Sequence, residues 1–243
     1  MKSVLPNQAA LYQMVDRYPL QSKFGVYLAD VPVQLETLLL LELEFQEPSV
    51  DLRIVSQLVR NDLGATLQIL RLAARQYGNT EECPTRIEDC VSNLGVDACI
   101  EAVSARTVAR DGRHRVLAEI WAHSREIAQY SKFIAEDIPE VNPDQAYMVG
   151  LFHAIGLLPS ALGWEGCEAD ARDSLAAGLK LARSWSLPRF VLDYFGGTER
   201  AGTKMPWSEI VRNAHWRVSR PSVPCSYLMD LRPQLLNVGR RDA

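Results

Sequence analysis

Apolar residues recur three and four positions apart along most of this chain, and that spacing places side chains on one face of an α-helix. Two such faces follow each other early in the chain: Leu52, Val55, Val59 and Leu63, then Leu67, Leu70, Ala74 and Tyr77. The longest uninterrupted pattern covers residues 113–136. Alternation of apolar and polar residues, the mark of a half-buried strand, is nearly absent. The pattern therefore predicts an all-α protein.

Start and stop signals divide this pattern into separate helices. Residues 85–88 have the form of a capping box, and Asp97 is a candidate cap for the next helix. Asn142 and Pro143 combine a capping side chain with proline at the first helical position. The helix expected at 142–158 is apolar nearly all round, which predicts a central, buried position that ends at Pro159. Later helices are expected at 170–185, 188–195 and 208–218.

These helices are expected to form two packed lobes. The first lobe covers residues 32–111 and the second covers residues 112–218. Residues 1–31 are expected to be an N-terminal extension, and residues 219–243 an irregular C-terminal tail.

Charge and cysteine usage narrow the function classes. The 26 Lys and Arg residues against 30 Asp and Glu residues give a net charge of −4, which argues against general nucleic-acid binding. The five cysteines form no Cys-x-x-Cys pair, so a zinc ribbon or a disulfide framework is not expected and a reducing cytoplasm fits best. The most hydrophobic run, at 33–45, contains three glutamates and is too short and too charged to span a membrane.

The four histidines are the main candidates for chemistry. His123 falls on the long helix and His153 on the buried one, so the two side chains could meet in the interior. Facing imidazoles can begin a metal site. They can equally be core histidines that local hydrogen bonds satisfy, and the spacing alone favours this second interpretation.

Several motifs in order resemble the HDOD family, the HD-related output domain of bacterial signalling proteins. Residues 50–72 resemble its paired helices, and residues 86–103 resemble the helix that follows them. The motifs Trp-Ala-His-Ser at 121–124, Gly-Leu-Phe-His-Ala-Ile-Gly at 150–156 and Trp-Ser-Leu-Pro at 185–188 are similar to W-x-H-S, G-L-L-H-D-I-G and W-G-L-P of that family. The resemblance covers about 32–195 and implies an HD-like second lobe.

The departures from the HD pattern concern its metal ligands. The parent HD hydrolases bind metal through a histidine, a His-Asp pair and a further aspartate. The resemblance places His123 at the first position and His153 at the second, but Ala154 replaces the aspartate of the pair. It therefore implies a vestigial HD site with no catalytic residue, no metal and no cofactor.

The resemblance implies a non-catalytic bacterial regulatory module that binds a protein partner, in second-messenger or two-component signalling. Trp121, Ser124, Ser174 and Trp185 are the candidates for its pocket or groove. The alternatives are a residual metal-dependent phosphohydrolase and a sensor that binds a nucleotide without cleaving it. We expect a cytoplasmic protein without a membrane partner, and whether it forms a homo-oligomer is left open.

Overall fold

A computed structural model describes residues 31–78, 83–104, 114–164, 174–197 and 206–218. These residues form helices joined by short turns, with no strand among them, so the all-α prediction is confirmed. Most of the predicted N-terminal extension, the whole C-terminal tail and the lobe boundary at 111–112 lie outside the described residues.

The described residues of the first lobe form five helices. They are α1 (Leu35–Gln46), α2 (Leu52–Arg60), α3 (Leu63–Tyr77), α4 (Ile87–Leu94) and α5 (Val96–Ser104). Helix α3 packs against α4 and α5, and α2 packs against α1 and α4. Ten of the fifteen residues of α3 are buried, so this helix forms the centre of the lobe.

The second lobe is built on a long helix. Its elements are α6 (His114–Glu136), α7 (Pro143–Phe152), a 3₁₀ turn (Ile155–Leu157), α8 (Leu158–Leu162), α9 (Ser174–Ser184), α10 (Arg189–Gly196) and α11 (Trp207–Val218). Helices α6 and α7 make the most extensive contact in the fold, and α11 packs across both. One continuous apolar core, which reaches from Val31 to Ala214, joins this lobe to the first.

Asp62 forms a polar junction inside this core. Its side chain is fully buried and caps α3 by accepting a hydrogen bond from the Ala65 amide at 3.0 Å. It also accepts a hydrogen bond from the backbone N–H of Gln34 at 2.7 Å and one from the indole N–H of Trp121, on α6, at 3.1 Å. Burial raises the pKa of Asp62, and the hydrogen bonds from Ala65 and Gln34 oppose that rise. One carboxylate therefore holds the start of α1, the start of α3 and the second lobe together.

The predicted helix starts are correct at Asn142 and wrong in the first lobe. The Asn142 side chain accepts from the amides of Asp144 and Gln145, as a cap residue does. The capping box at 85–88 does not form, because α4 begins after Arg86, whose side chain makes no capping hydrogen bond. Asp97 is also not a cap, since it lies inside the first turn of α5.

Two helices end where periodicity alone did not place an end. The first apolar face is split at Asn61 and Asp62, so Leu63 opens α3 instead of continuing α2. The helix expected at 142–158 ends at Phe152, and Pro159 lies in the first turn of α8 instead of stopping a helix. Proline fits there because the first amides of a helix have no intrahelical partner.

The prediction that α7 is central and buried is confirmed. All residues from Ala146 to Phe152 are buried. A Cβ atom at Gly150 would lie 2.7 Å from Ala128 Cα and 2.8 Å from Ser131 Oγ, so the glycine lets α7 approach α6 closely. Among the described residues, only Pro143–Leu162 is long and apolar enough to cross a membrane, and 72% of it is buried inside the fold. That burial is typical of a core helix.

Ser186 has a backbone conformation that favours glycine. Its φ angle is +54°, and among the described residues it is the one position other than glycine with a positive φ. It follows α9 and directly precedes Leu187 and Pro188, at the position where the similar W-G-L-P motif has glycine. The serine therefore stores local strain at the turn into α10.

Candidate functional site

Three histidines meet where α6, the end of α7 and α11 converge. The ring centroids of His123 and His153 are 5.2 Å apart, which confirms that these two side chains approach each other. His215 of α11 completes the group, with centroids 5.0 Å from His123 and 4.8 Å from His153. Each histidine offers one ring nitrogen as a possible metal ligand. These three nitrogens all lie within 4.8 Å of one another.

The end of α7 orients His153. Helix α7 stops at Phe152, so its last carbonyl groups have no intrahelical donor. The Nδ1 atom of His153 lies 2.6 Å from the carbonyl oxygen of Gly150. A carbonyl oxygen only accepts hydrogen bonds, so Nδ1 carries the proton and Nε2 carries a lone pair. This hydrogen bond therefore fixes both the tautomer and the direction of the ring.

The site favours neutral imidazoles. Burial, together with the nearby His215, lowers the pKa of His123 to about 4. Burial lowers the pKa of His153 well below its ordinary value, and His215 and His123 lower it further. Burial also lowers the pKa of His215. At neutral pH all three rings therefore offer uncharged nitrogen donors.

No carboxylate belongs to this group among the described residues. Ala154, which stands where the HD pair has its aspartate, is 5% exposed and presents only a methyl group. The ligand set of an HD hydrolase therefore does not fit the described residues. A third histidine, His215, lies beside His123 and His153, so the group contains three imidazoles instead of the two that the resemblance marked.

Sequence reasoning missed His215. It lies 62 positions after His153 and outside every motif that carried the resemblance. Its only local signal is its place in the last turn of a predicted helix, where a histidine is ordinary. Only the packing of α11 against α6 and α7 brings its ring to the other two.

The four residues expected to line a pocket or groove lie mainly in the core. Trp121 and Trp185 are 3% and 0% exposed, and Ser124 is 0% exposed, so these side chains form no open surface. Ser174 is partly buried, and its carbonyl group packs so closely on Gly156 that a Cβ atom there would overlap it. These four positions therefore contribute to the packing of the second lobe, and a groove that they line stays a prediction.

An open cavity of about 530 Å³ lies instead at the junction of the two lobes. Its lining includes Arg60, Glu88, Lys132 and Tyr147. Arg60 pairs with Glu88 at 3.1 Å and Lys132 pairs with Asp144 at 3.1 Å, so both cations already have acidic neighbours. The side chains that line the cavity therefore include both positive and negative charges, with neither in large excess.

The fold and these histidines together define an HD-related helical domain that lacks the carboxylate of the HD pair. The chain belongs to the HDOD domain family, whose model matches residues 31–163.

Solved structures share the fold. The crystal structure of the MmoQ response regulator from Methylococcus capsulatus str. Bath is 18% identical, with a TM-score of 0.61 over 83% of this chain and 97% of that one. The crystal structure of a virulence factor from Campylobacter jejuni subsp. jejuni is 14% identical, with a TM-score of 0.56 over 85% of each chain. No curated protein matches the sequence. At these identities the similarity shows the fold alone.

Proposed function

We propose that this chain is a non-catalytic bacterial signalling module that acts in the cytoplasm by binding a partner protein. The observation that carries the proposal is an exposed leucine face on α1. Leu35, Leu39 and Leu43 are 54%, 51% and 60% exposed, and their spacing of four places them on one side of the helix. A contiguous apolar surface of this kind is typical of a protein interaction site.

The charges around the leucine face indicate the chemistry of the partner. Helix α1 contains Glu36, Glu42 and Glu44 and no Lys or Arg residue. A symmetric dimer through this face would bring glutamates near glutamates, because both copies contribute the same surface. The occupant that fits best is an amphipathic helix of another protein, with an apolar stripe flanked by Lys and Arg residues.

Two further observations support a signalling role without catalysis. The family of this chain and the MmoQ response regulator with its similar fold favour signalling. Ala154 and the all-histidine group argue against hydrolysis, because neither supplies the carboxylate that an HD site uses.

The cysteines agree with the proposed location in a reducing cytoplasm, because Cys83, Cys90 and Cys99 are free thiols.

The binding proposal can be tested with designed helical peptides. We expect a peptide with a leucine stripe flanked by Lys to bind the full chain, and the same peptide flanked by Glu to bind at least about tenfold more weakly, measured by fluorescence anisotropy. Leu39→Glu should abolish binding. The control Leu175→Glu, at a leucine of α9 that is 53% exposed, should leave binding unchanged.

Two results would contradict the binding proposal. One is that Leu39→Glu and Leu175→Glu bind the Lys-flanked peptide equally well. The other is a dimer of the wild-type chain in sedimentation that Leu39→Glu dissociates, since that would assign the leucine face to a second copy.

The histidine group is the one observation that favours the alternative of a metal-dependent phosphohydrolase. We expect no hydrolysis of cyclic dinucleotides or of generic phosphodiesters above a buffer blank with added Mn²⁺ or Zn²⁺. Ala154→Asp should not restore hydrolysis, because a carboxylate at this position still lacks the further aspartate of an HD site. Turnover by the wild type that disappears in His153→Ala would establish the hydrolase instead.

The cavity at the lobe junction is the observation that favours a nucleotide sensor. Its cations Arg60 and Lys132 are already paired with acids, so a nucleotide phosphate would have to displace Glu88 or Asp144. We therefore expect no rise in melting temperature with nucleotides, including cyclic dinucleotides. A saturable rise that Arg60→Ala removes would support the sensor.

A further inference from the structure

We propose that His123, His153 and His215 form a binding site for a divalent first-row transition metal ion, with Zn²⁺ as the ion of first choice. The three ligand nitrogens come from three different helices and lie within 4.8 Å of one another. The inference concerns a site in the second lobe, and it does not depend on the partner proposed for α1.

The spacing of the nitrogens is close to what a metal requires. Bonds of 2.0–2.1 Å in tetrahedral geometry place the nitrogens about 3.4 Å apart. The nitrogens lie up to 4.8 Å apart, so the group must contract by up to about 1.4 Å. Small side-chain rotations of His123 and His215, whose rings already contact each other and His153, can supply this contraction, because each of these rings extends from its helix on two rotatable bonds.

The ring nitrogens are prepared as ligands. In many metal sites a histidine donates its other N–H to a carbonyl oxygen, which fixes the tautomer and directs the ring at the metal. The hydrogen bond from His153 Nδ1 to Gly150 is of this kind. The Nε2 atoms of both His123 and His153 are buried and have no hydrogen-bond partner among the described residues. A pair of merely structural core histidines would be expected to satisfy these atoms, whereas a bound cation satisfies both.

The donor set indicates which ions fit. Imidazole nitrogens suit zinc, copper, nickel and iron, whereas magnesium and calcium prefer oxygen ligands. No carboxylate belongs to the group among the described residues, so the set differs from the mixed His and Asp ligands of an HD site. Because α11 lies beyond the family match at 31–163, this metal would connect α11 to the core of the HDOD domain.

Cobalt substitution provides the direct test. The full chain, freed of metal with a chelator, is titrated with Co²⁺, and visible absorption reports four-coordinate cobalt. We expect one Co²⁺ per chain, displacement by Zn²⁺, and no thiolate-to-cobalt charge-transfer band. Zn²⁺ should also raise the melting temperature of the wild type in a saturable way, because it binds only the folded chain.

Histidine variants test the assignment of the ligands. His123→Ala and His215→Ala should each weaken Co²⁺ binding by at least about tenfold. His114→Ala is the matched control, because His114 also lies on α6 but nine residues, or about 13.5 Å along the helix axis, before His123. Circular dichroism checks that each variant remains helical.

Three results would overturn the metal site. Wild-type chain without a four-coordinate cobalt spectrum and without a Zn²⁺-dependent melting shift has no such site, whatever the variants do. A thiolate band, or binding that is lost when the cysteines are blocked, assigns the ion to cysteine. Equal loss of binding in His114→Ala and His215→Ala shows that the effect is not specific to the three histidines.

Discussion

Replacing Asp62 should show how much one buried carboxylate contributes to the union of the two lobes. Its side chain accepts hydrogen bonds from the Ala65 amide, the Gln34 amide and the Trp121 indole. Asp62→Ala removes both carboxylate oxygens and so leaves all three donors without this acceptor. Asp62→Asn keeps Oδ1 as the acceptor for Ala65 and Trp121. Its side-chain NH₂ group, however, then faces the backbone N–H of Gln34, so two donors oppose each other.

The magnitude follows from these contacts. Loss of the helix cap at Ala65 costs about 1 kcal/mol. Each of the other two donors, left without an acceptor, costs about 1–3 kcal/mol. Removal of the carboxylate also relieves its desolvation, the main cause of its raised pKa, and this offsets part of the loss. We expect Asp62→Ala to lower the free energy of unfolding by about 3 kcal/mol and Asp62→Asn by about 1–2 kcal/mol.

Urea denaturation at neutral pH, followed by circular dichroism, measures both values. Asp51→Ala is the matched control, because Asp51 caps α2 through the Arg53 amide at a site exposed to solvent. Its loss of stability should be clearly smaller than that of Asp62→Ala. If Asp62→Ala and Asp51→Ala lost the same stability, the cap alone would matter and the junction with Gln34 and Trp121 would contribute nothing.

Three further predictions concern packing, charge and backbone strain. Gly150→Leu should destabilise the fold by about 1–3 kcal/mol through overpacking between α7 and α6. The control Ala122→Leu, at an exposed site of α6, should not. If Gly150→Leu melted at the same temperature as the wild type, the close approach of the two helices would be disproved. Burial raises the pKa of Asp144, but its ion pairs lower it more, so its stabilising contribution is present above pH about 4 and is lost as the pH falls further. Asp144→Asn should therefore be less stable than wild type at pH 7, with the two denaturation curves converging at low pH; a constant gap would refute the assignment. Ser186→Gly should raise the free energy of unfolding by up to about 1 kcal/mol in urea denaturation, and a loss of stability would mean that the serine is not strained.

Local signals in the sequence predicted a large part of this fold. The spacing of apolar residues predicted α6 almost to its ends, and Asn142 with Pro143 predicted the start of α7. Both signals act within a few residues, through side chains one turn apart or through a cap that bonds the next amides. The capping box predicted at 85–88 is wrong: α4 begins after Arg86, and its first residue, Ile87, is buried in the core.

Where helices stop depended more on tertiary contacts. Asp62 caps α3 through the nearby Ala65 amide, which is a local contact, but its carboxylate also accepts from the Gln34 backbone N–H and the Trp121 indole, which are distant in the sequence. After α7 ends at Phe152, Gly156 of the following turn packs closely on the backbone of Ser174, which is distant in the sequence. An apolar residue in a periodic pattern reports only that it is buried, and it does not report which backbone will pack against it.

The histidine site also depends partly on local sequence signals and partly on tertiary packing. Its first two members, His123 and His153, could be placed from the sequence because each lies in a short motif on a predicted helix. The third, His215, carries no motif, and its ring reaches the others only because α11 packs across α6 and α7. The sequence by itself determined the helices and two of the nitrogen donors. The tertiary structure decided that there are three, since only packing brings together residues from distant parts of the chain.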